Sequence, residues 1–421
     1  MMSAPPDGPL RVCLISYRSN PHCGGQGVYI KHLSRALKEL GHHVEVISGP
    51  PRLELDHGII VHQLPCLDLY DPAHFCRLPT PREFMDPVNV IEWAGVCTMG
   101  FPEPFTFGLR ARRYLRDRYD RFDVVHDNQC LSYGLLAIKR FLPTTITIHH
   151  PITRDRKIDL GSVKAPWKKM KWWRWYSFLG MQKRVSRRFS AIITVSENAA
   201  RDIGRDFGIP RGKFRIVPNG INVDLFRPVP SITRDPDRLI TTNSADTPLK
   251  GLAYLLRAVA EVSKIRKVKL TVIGAPKKKS SILKLIQELD LGRTVQFTGR
   301  VSDEEFVCQY ARAAVAVVPS LYEGFGLPAG EAMACGVPVI STTAGALAEV
   351  VGDAGVLVPP ADAPALTRAI LDLLDNRDKA AGIGRAGYRR VHRHFTWRKA
   401  AEKTVDTYRE TIRAHRRFQP A

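Results

Sequence analysis

Two acids, Glu323 and Glu331, flank a bend holding Gly324, Gly326 and Pro328 in the run PSLYEGFGLPAGEAMACG, residues 319–336. On one continuous helix, positions eight apart share a face but lie about 12 Å apart along the axis. Pro328 argues against that, since proline suits a first turn and breaks a helix interior. The spacing instead predicts a strand over Val315–Pro319, a loop over Ser320–Leu327 and a helix starting near Pro328. Glu323 then lies on the loop and Glu331 in the first helical turn, so both can face one small volume. A macrodipole contact of about 0.3–1 kcal/mol explains an acid at a helix amino terminus. It does not explain the adjoining Gly-Phe-Gly, whose bare backbone offers N–H groups to something small. With no metal-ligand cluster beside it, an anion there would be held by amides, the helix end and basic side chains.

Three other places hold residues suited to chemistry. Gly24, Gly25 and Gly27 in CGGQG would let backbone approach an anion at a helix amino terminus. The run is not G-x-G-x-x-G, so the dinucleotide fingerprint is unmet and a turn without a ligand explains it equally well. His149 and His150 close the apolar stretch TTITIHHP, with no acid placed in sequence to complete a dyad. Strand-end histidines serve structure more often than catalysis, but the carboxyl end of a parallel strand shifts that balance toward function. Lys250 in TPLKGL precedes a helix, where a lysine is solvated unless a phosphate sits over the helix start.

The elements that must hold these groups alternate. RVCLISY (11–17) reads as a strand, and helical spacing runs through VYIKHLSRALKELG, with Gly41 as its C-cap. HVEVISG, GIIVHQLP, DVVHDN, TTITIHHP and AIITVS follow as strands. Residues 65–104 break the rhythm with seven prolines and the aromatics Phe75, Phe84 and Trp93, which reads as an inserted irregular region that helps choose a ligand. A boundary rich in Pro, Asn and Asp spans 217–237. A second alternating series then runs from RLITTN through VKLTVIG, VQFTG, VAVVPS and PVIST to GVLVPP, and helical patterns fill the rest to about Arg417. Strands this apolar, separated by helices, predict parallel sheets covered on both faces. The expected architecture is α/β, with two doubly wound Rossmann-like domains, 1–222 and 223–421, facing an interdomain cleft. The last helix is free to pack back on the first domain.

A length of 421 residues suits two domains, and 44% apolar with 25% charged residues reads as folded and soluble. No stretch has the length and apolarity of a membrane span, and MMSAPPDGPLRV contains no apolar signal core, so cytosolic residence is the expectation. Eight scattered cysteines form no C-x-x-C pair, which disfavours a disulfide scaffold or a zinc site. The net charge of +22 favours an anionic partner: nucleic acid, an anionic membrane or a phosphorylated ligand. No helix-turn-helix, RNA-binding or zinc module is visible, so nucleic acid is not expected.

PSLYEGFGLPAGEAMACGVPVIST resembles the signature of the family 4 retaining glycosyltransferases, which have the two-domain GT-B fold. GGQGVYIKHLSRALKELGHHVEVIS, SAIITVSENAARDI, IVPNGINVDLF and HFTWRKAAEKTVDTY sit in the family's order, so the likeness covers most of the chain. The resemblance implies a nucleotide-diphosphate sugar held mainly by the second domain, a glycan or lipid-linked acceptor in the first, and no metal or other cofactor. It implies that Glu331 hydrogen-bonds the nucleotide ribose and that Glu323 sits beside the donor sugar. Gly324, Phe325, Gly326, Leu327 and Pro328 would line the sugar and phosphate site, and Gly25 would touch the diphosphate. His149 matches the histidine that contacts the donor sugar, with His150 as the alternative, and Lys250 matches the diphosphate-binding lysine. One feature departs from the family. An arginine common about five residues before that lysine is replaced by the segment Ser244, Ala245 and Asp246, and Arg300, ending VQFTGR, is the expected substitute cation.

The stretch KAPWKKMKWWRWYSFLGMQKRVSRRF, 164–189, carries nine Lys or Arg and four Trp, with no acid between Asp159 and Glu197. Trp167, Lys168, Lys169, Lys171, Trp172, Trp173, Arg174 and Trp175 resemble an interfacial helix, aromatics entering the headgroup boundary and cations meeting anionic lipid. A partly buried helix with solvated cations fits equally well. A peripheral place on the inner face of a membrane, and a role in polysaccharide or glycolipid synthesis, follow from the first reading. Two other functions share these residues: a sugar-nucleotide epimerase or phosphorylase of the same fold, and a non-catalytic sugar-nucleotide or membrane-binding protein.

Overall fold

The computed structural model describes residues 8–18, 25–71, 75–161, 163, 165–243, 247–276 and 280–417. The chain divides into two units. The first comprises the described residues of Met1–Val195, Ala199–Val217 and Ala400–Ala421. Its strands are β1 (Arg11–Ser16), β2 (His43–Ser48), β3 (Ile60–Gln63), β4 (Val124–Asn128), β5 (Thr144–Thr147), β6 (Ile192–Thr194) and β7 (Phe214–Ile216). They form one parallel sheet in the order β3-β2-β1-β4-β5-β6-β7. The second unit comprises Ser196–Asn198 and the described residues of Pro218–Lys399. Here β8 (Asp235–Thr242), β9 (Lys269–Ile273), β10 (Val295–Phe297), β11 (Ala313–Val318), β12 (Val339–Thr342) and β13 (Val356–Val358) make a parallel sheet ordered β10-β9-β8-β11-β12-β13.

Helices on both faces explain the unbroken apolar strands. All five residues of β4 are buried, as are five of the six in β11. In the second unit, Leu239, Leu270, Val272, Val315, Val317 and Ile340 of the sheet join one core with Leu255, Val259 and Val262 of helix Leu252–Ile265 and with Ile370 and Leu373 of helix Ala363–Asp375. Each such side chain stabilises the fold by about 1.5–3 kcal/mol on burial.

Strand order reverses between β1 and β4 in the first sheet and between β8 and β11 in the second. At such switch points neighbouring loops leave the carboxyl ends in opposite directions, which opens a crevice. In the second unit the loops after β8 and β11 are also tied by their backbones. Leu321 N–H donates to Leu249 O at 2.7 Å. Gly251 has φ +67, and a Cβ on it would lie 1.9 Å from Pro319 O.

Three expectations are corrected. Residues 65–104 are not uniformly irregular: they hold helices Pro81–Phe84 and Pro87–Cys97, and helix Glu103–Arg116 begins there. Pro81 and Pro87 are helix starts rather than breakers, each beside an N-cap, Thr80 accepting from Glu83 N–H and Asp86 from Val88 N–H. Leu67, Leu69 and Val96 give the region its own small core. The basic aromatic segment is two helices, Pro166–Trp175 and Phe178–Ser186, and the second is largely buried. Strand β7, absent from the expected strands, ends immediately before the stretch 217–237 read as a linker, and β8 begins inside that stretch at Asp235.

Gly251→Ala should lower stability by about 2 kcal/mol or more, because it combines a left-handed backbone with a clash against a fixed carbonyl. Urea unfolding checks this, and a loss below about 0.5 kcal/mol would show that the two loops are not held together as described.

Candidate functional site

At the second unit's switch point, Lys250 ends a one-turn 3-10 helix, Pro248–Lys250. Its Nζ donates to Glu323 Oε1 at 2.7 Å, and Ser320 Oγ donates to the same oxygen at 2.8 Å. The side chains of Lys250 and Glu323 are 25% and 14% exposed, so the pair is shielded yet reachable from solvent. Backbone contacts fix the acid's loop. Glu323 O accepts from Ala346 N–H at 2.9 Å, and Gly324 O accepts from Ser196 Oγ at 3.1 Å. Phe325 is buried edge-on to Phe395.

Helix Leu327–Ala334 starts at Gly326, whose φ is +100 and whose added Cβ would lie 2.5 Å from Leu347 Cδ2. No side chain caps this start, and Pro328 contributes no N–H, so its partial positive charge is left uncompensated. Glu331 is the fifth residue of the helix, not part of the first turn as expected. The macrodipole acts mainly within the first turn, so it gives little reason for an acid at this position. Burial raises the Glu331 carboxyl to about 7; the Lys250 charge pulls it down and Asp303 pushes it further up. The structure therefore brings Lys250, Ser320 and Glu323 into contact and sets Glu331 within the field of the same lysine. Arg300 is exposed at the end of edge strand β10, two places from β8 in strand order, and has no ion pair among the described residues. Gly24 and the segment Ser244, Ala245 and Asp246 lie outside the described residues.

In the first unit, the switch point is built around Asn128 at the end of β4. Its Nδ2 donates to Ser16 Oγ at 3.1 Å and to Gln26 O at 3.2 Å, while Oδ1 meets His149 Nε2 at 2.7 Å. A carbonyl can only accept, so Asn128 turns its oxygen to His149 and Nε2 carries the proton. His149 N–H donates to Gln129 Oε1 at 2.8 Å, and Tyr29 packs edge-on to the ring at 4.6 Å. Burial, then the charges of His150 and His126, lower His149 to about 3, so it is neutral with Nδ1 as an acceptor. His150 differs from the sequence expectation: it does have an acid, Asp155 Oδ2 at 3.0 Å, supplied by the next helix, Thr153–Gly161. Gly25 begins helix Gly25–Glu39 with nothing within 4 Å of an added Cβ, so its backbone is open on that side.

Helix Pro166–Trp175 divides its aromatics. Trp172 and Trp175 pack against Tyr176, Phe178 and Phe101, whereas Trp167, Met170 and Trp173 are 63%, 64% and 58% exposed. Lys168, Lys169, Lys171 and Arg174 are exposed on the same helix. Sequence reasoning missed Ser320, Asn128, Gln129 and Asp155. Asn128 and Gln129 had a signal, the polar run HDNQ closing a buried strand; Ser320 and Asp155 had none beyond proximity to residues already chosen.

Two parallel Rossmann-like sheets, each with polar side chains gathered at its switch point, are the architecture of the GT-B glycosyltransferases. The chain belongs to glycosyltransferase family 4. Residues 23–225 match the model Glycosyltransferase Family 4, and residues 229–390 match Glycosyl transferases group 1. The chain is 45% identical over 408 residues to the MMP alpha-(1->4)-mannosyltransferase of Mycolicibacterium hassiacum, covering 96% of this chain and 98% of that one. It is 28% identical to a D-inositol 3-phosphate glycosyltransferase of Streptomyces avermitilis, over 97% of this chain and 89% of that one. Among solved structures it resembles a sucrose-phosphate synthase from Thermosynechococcus elongatus at 25% identity and TM-score 0.73, covering 96% of this chain and all of that one.

The raised Glu331 has a definite sign. A carboxyl at about 7 in the folded chain and near its ordinary value of 4.5 when unfolded binds its proton more tightly in the folded state. Its stabilising contribution is complete below about 4.5 and is lost as pH rises through 7. Glu331→Gln should therefore match the parent near pH 4.5 and exceed it by about 1–3 kcal/mol at pH 8. Denaturant unfolding at the two pH values reads the difference; a gap that does not widen with pH would remove the buried-carboxyl description.

Proposed function

We propose that the protein transfers a mannosyl group from a nucleoside-diphosphate donor to a hydroxyl of a glycan acceptor, free or lipid-carried, with retention at the anomeric carbon. The observation that carries this reading is the triad of Lys250, Ser320 and Glu323 at the β8/β11 switch point, followed by an uncapped helix start. The mannosyl group and the α product follow from the activity for which the 45% identical relative is named. An α product from an α-configured sugar nucleotide is retention.

In this reading the bond from the anomeric carbon to the diphosphate oxygen breaks and a bond to the acceptor oxygen forms on the same face. The acceptor's proton passes to the departing diphosphate. Negative charge grows on that leaving group, so a cation and helix amides fixed in advance stabilise the transition state more than the ground state. Lys250 and the start of helix Leu327–Ala334 take this role, without a metal. Binding the diphosphate draws Lys250 partly from Glu323, which frees the carboxylate to accept sugar hydroxyls. Glu331 accepts from the ribose hydroxyls, and those bonds favour its ionised form. His149, neutral and donating through Nε2 to Asn128, is suited to accept a sugar hydroxyl at Nδ1 and not to serve as an acid.

The exposed Trp167, Met170 and Trp173, set among Lys168, Lys169, Lys171 and Arg174, support a peripheral hold on an anionic membrane surface. Each cation near such a surface contributes on the order of 1 kcal/mol before screening. Among the described residues no helix is long and apolar enough to cross a membrane.

Lys250→Ala and Glu323→Gln should each lower mannosyl transfer by about 10²–10³-fold with the fold intact. His149→Ala should lower it by about tenfold or more, and Arg300→Ala should lower turnover more than stability. Chelator should leave the rate unchanged. Radiolabelled transfer with circular dichroism as the folding control tests these residues, and normal rates in both Glu323→Gln and His149→Ala would overturn their assignment.

For the membrane, sedimentation with vesicles rich in anionic lipid at low salt should capture the protein. Trp167→Ser with Trp173→Ser should cut capture about tenfold. Equal capture by neutral vesicles, or none by anionic ones, would end this part of the reading.

A further inference from the structure

The second unit contains a cavity of about 550 Å³ that the transfer reaction does not use. Pro236 near the start of β8, Ala314 near the start of β11 and Pro338 just before β12 line it, so it lies at the amino ends of the strands. Lys250 and Glu323 follow the carboxyl ends of β8 and β11, at the opposite edge of the same sheet. Pro236, Ala314 and Pro338 make an apolar floor with Cys335, Leu373 and Leu374. Burial pushes the Cys335 thiol up to about 12, so it remains protonated and behaves as part of that floor.

The mouth is of opposite character. Arg234, Arg377 and Arg385 line the cavity, and no Asp or Glu does. Arg234 Nη2 donates to Gly336 O at 2.7 Å, and none of the three guanidinium groups has an ion pair among the described residues. Elsewhere in the unit Arg266, Arg312 and Arg390 each face a carboxylate, whereas here three arginines converge on one concavity with no acid in its lining. Arg377 also opens helix Arg377–His394, whose first turn holds Asp378, so the arginines rather than the helix end supply the positive field. Three like charges around one concavity repel one another, and a bound anion relieves this. Guanidinium groups suit carboxylate and phosphate because their paired N–H groups match two oxygens at once.

We propose that this cavity is a binding site for an amphipathic anion, with its carboxylate or phosphate among Arg234, Arg377 and Arg385 and its alkyl or aromatic body on the apolar floor. The volume lies within the range of about 300–1,000 Å³ usual for small-molecule sites, and an apolar lining with a few convergent polar groups is their usual make-up. The site is independent of the donor reading, since no residue assigned to transfer lines it.

Calorimetric titration of the full chain with octyl phosphate and with octanoate, both kept monomeric, tests the proposal and shows which headgroup is preferred. At least one should bind at least tenfold tighter than inorganic phosphate and tenfold tighter than octanol. Arg234→Gln with Arg385→Gln should weaken that binding at least tenfold, while Lys250→Ala and Trp167→Ser should leave it unchanged. Ala381→Trp, which fills the cavity from its exposed side, should abolish binding without touching an arginine. Equal binding of inorganic phosphate or octanol would overturn the proposal, as would binding that survives both the arginine replacements and Ala381→Trp.

Discussion

Lys250 meets Glu323 because the loops that carry them are pressed together where the second sheet changes direction. Gly251 lies against the Pro319 carbonyl too closely for any side chain, and Leu321 bonds Leu249 across the same gap. The ion pair follows from backbone contact; it does not create it. This distinction matters for the proposed reaction, in which Lys250 exchanges partners. Were side-chain attraction alone holding the loops, a ligand that took Lys250 would also loosen Glu323. With the backbones holding them, the lysine can turn to a diphosphate while the carboxylate keeps its place and its bond from Ser320.

The two units use electrostatics in opposite ways. In the second, formal charges gather around the crevice: a lysine, two acids and a helix start left uncapped. In the first, the corresponding crevice is built from neutral groups. His126 is buried between Tyr408 and Thr147, and burial lowers it to about 3, as it does His149. Asn128 ties β1, the start of helix Gly25–Glu39 and His149 into one set of hydrogen bonds. A neutral surface with a defined pattern of donors and acceptors suits hydroxyl-rich molecules, whereas the charged crevice suits a diphosphate.

The alternation of strand and helix was legible because strands covered on both faces need unbroken apolar runs, and both sheets have them. The acids on either side of Gly-Phe-Gly were legible because Pro328 excludes a single helix. Legibility failed where an element lacks an apolar run or is defined by its ends. Strand β7 is Phe-Arg-Ile, only one residue of it buried, and the prolines of 65–104 looked like breakers until Thr80 and Asp86 were seen capping the helices that they open. Glu331 was placed one position too early because Leu327, not Pro328, begins the helix, and that shift carries it past the first turn and withdraws the macrodipole as the reason for its being acidic.

By itself the sequence determined composition-level and periodic properties: two α/β units, strands hidden from water, a cationic excess, and a family motif that survives as a contiguous string. Only tertiary structure decided which side chains share a partner. Ser320 with Glu323, Asp155 with His150, and Trp172 half-buried while Trp173 is exposed all depend on how loops and helix faces lie against a sheet. The physical reason is range. Periodicity and proline act on neighbours along the chain, whereas a hydrogen bond or a burial is set by atoms distant in sequence whose placement no local pattern records.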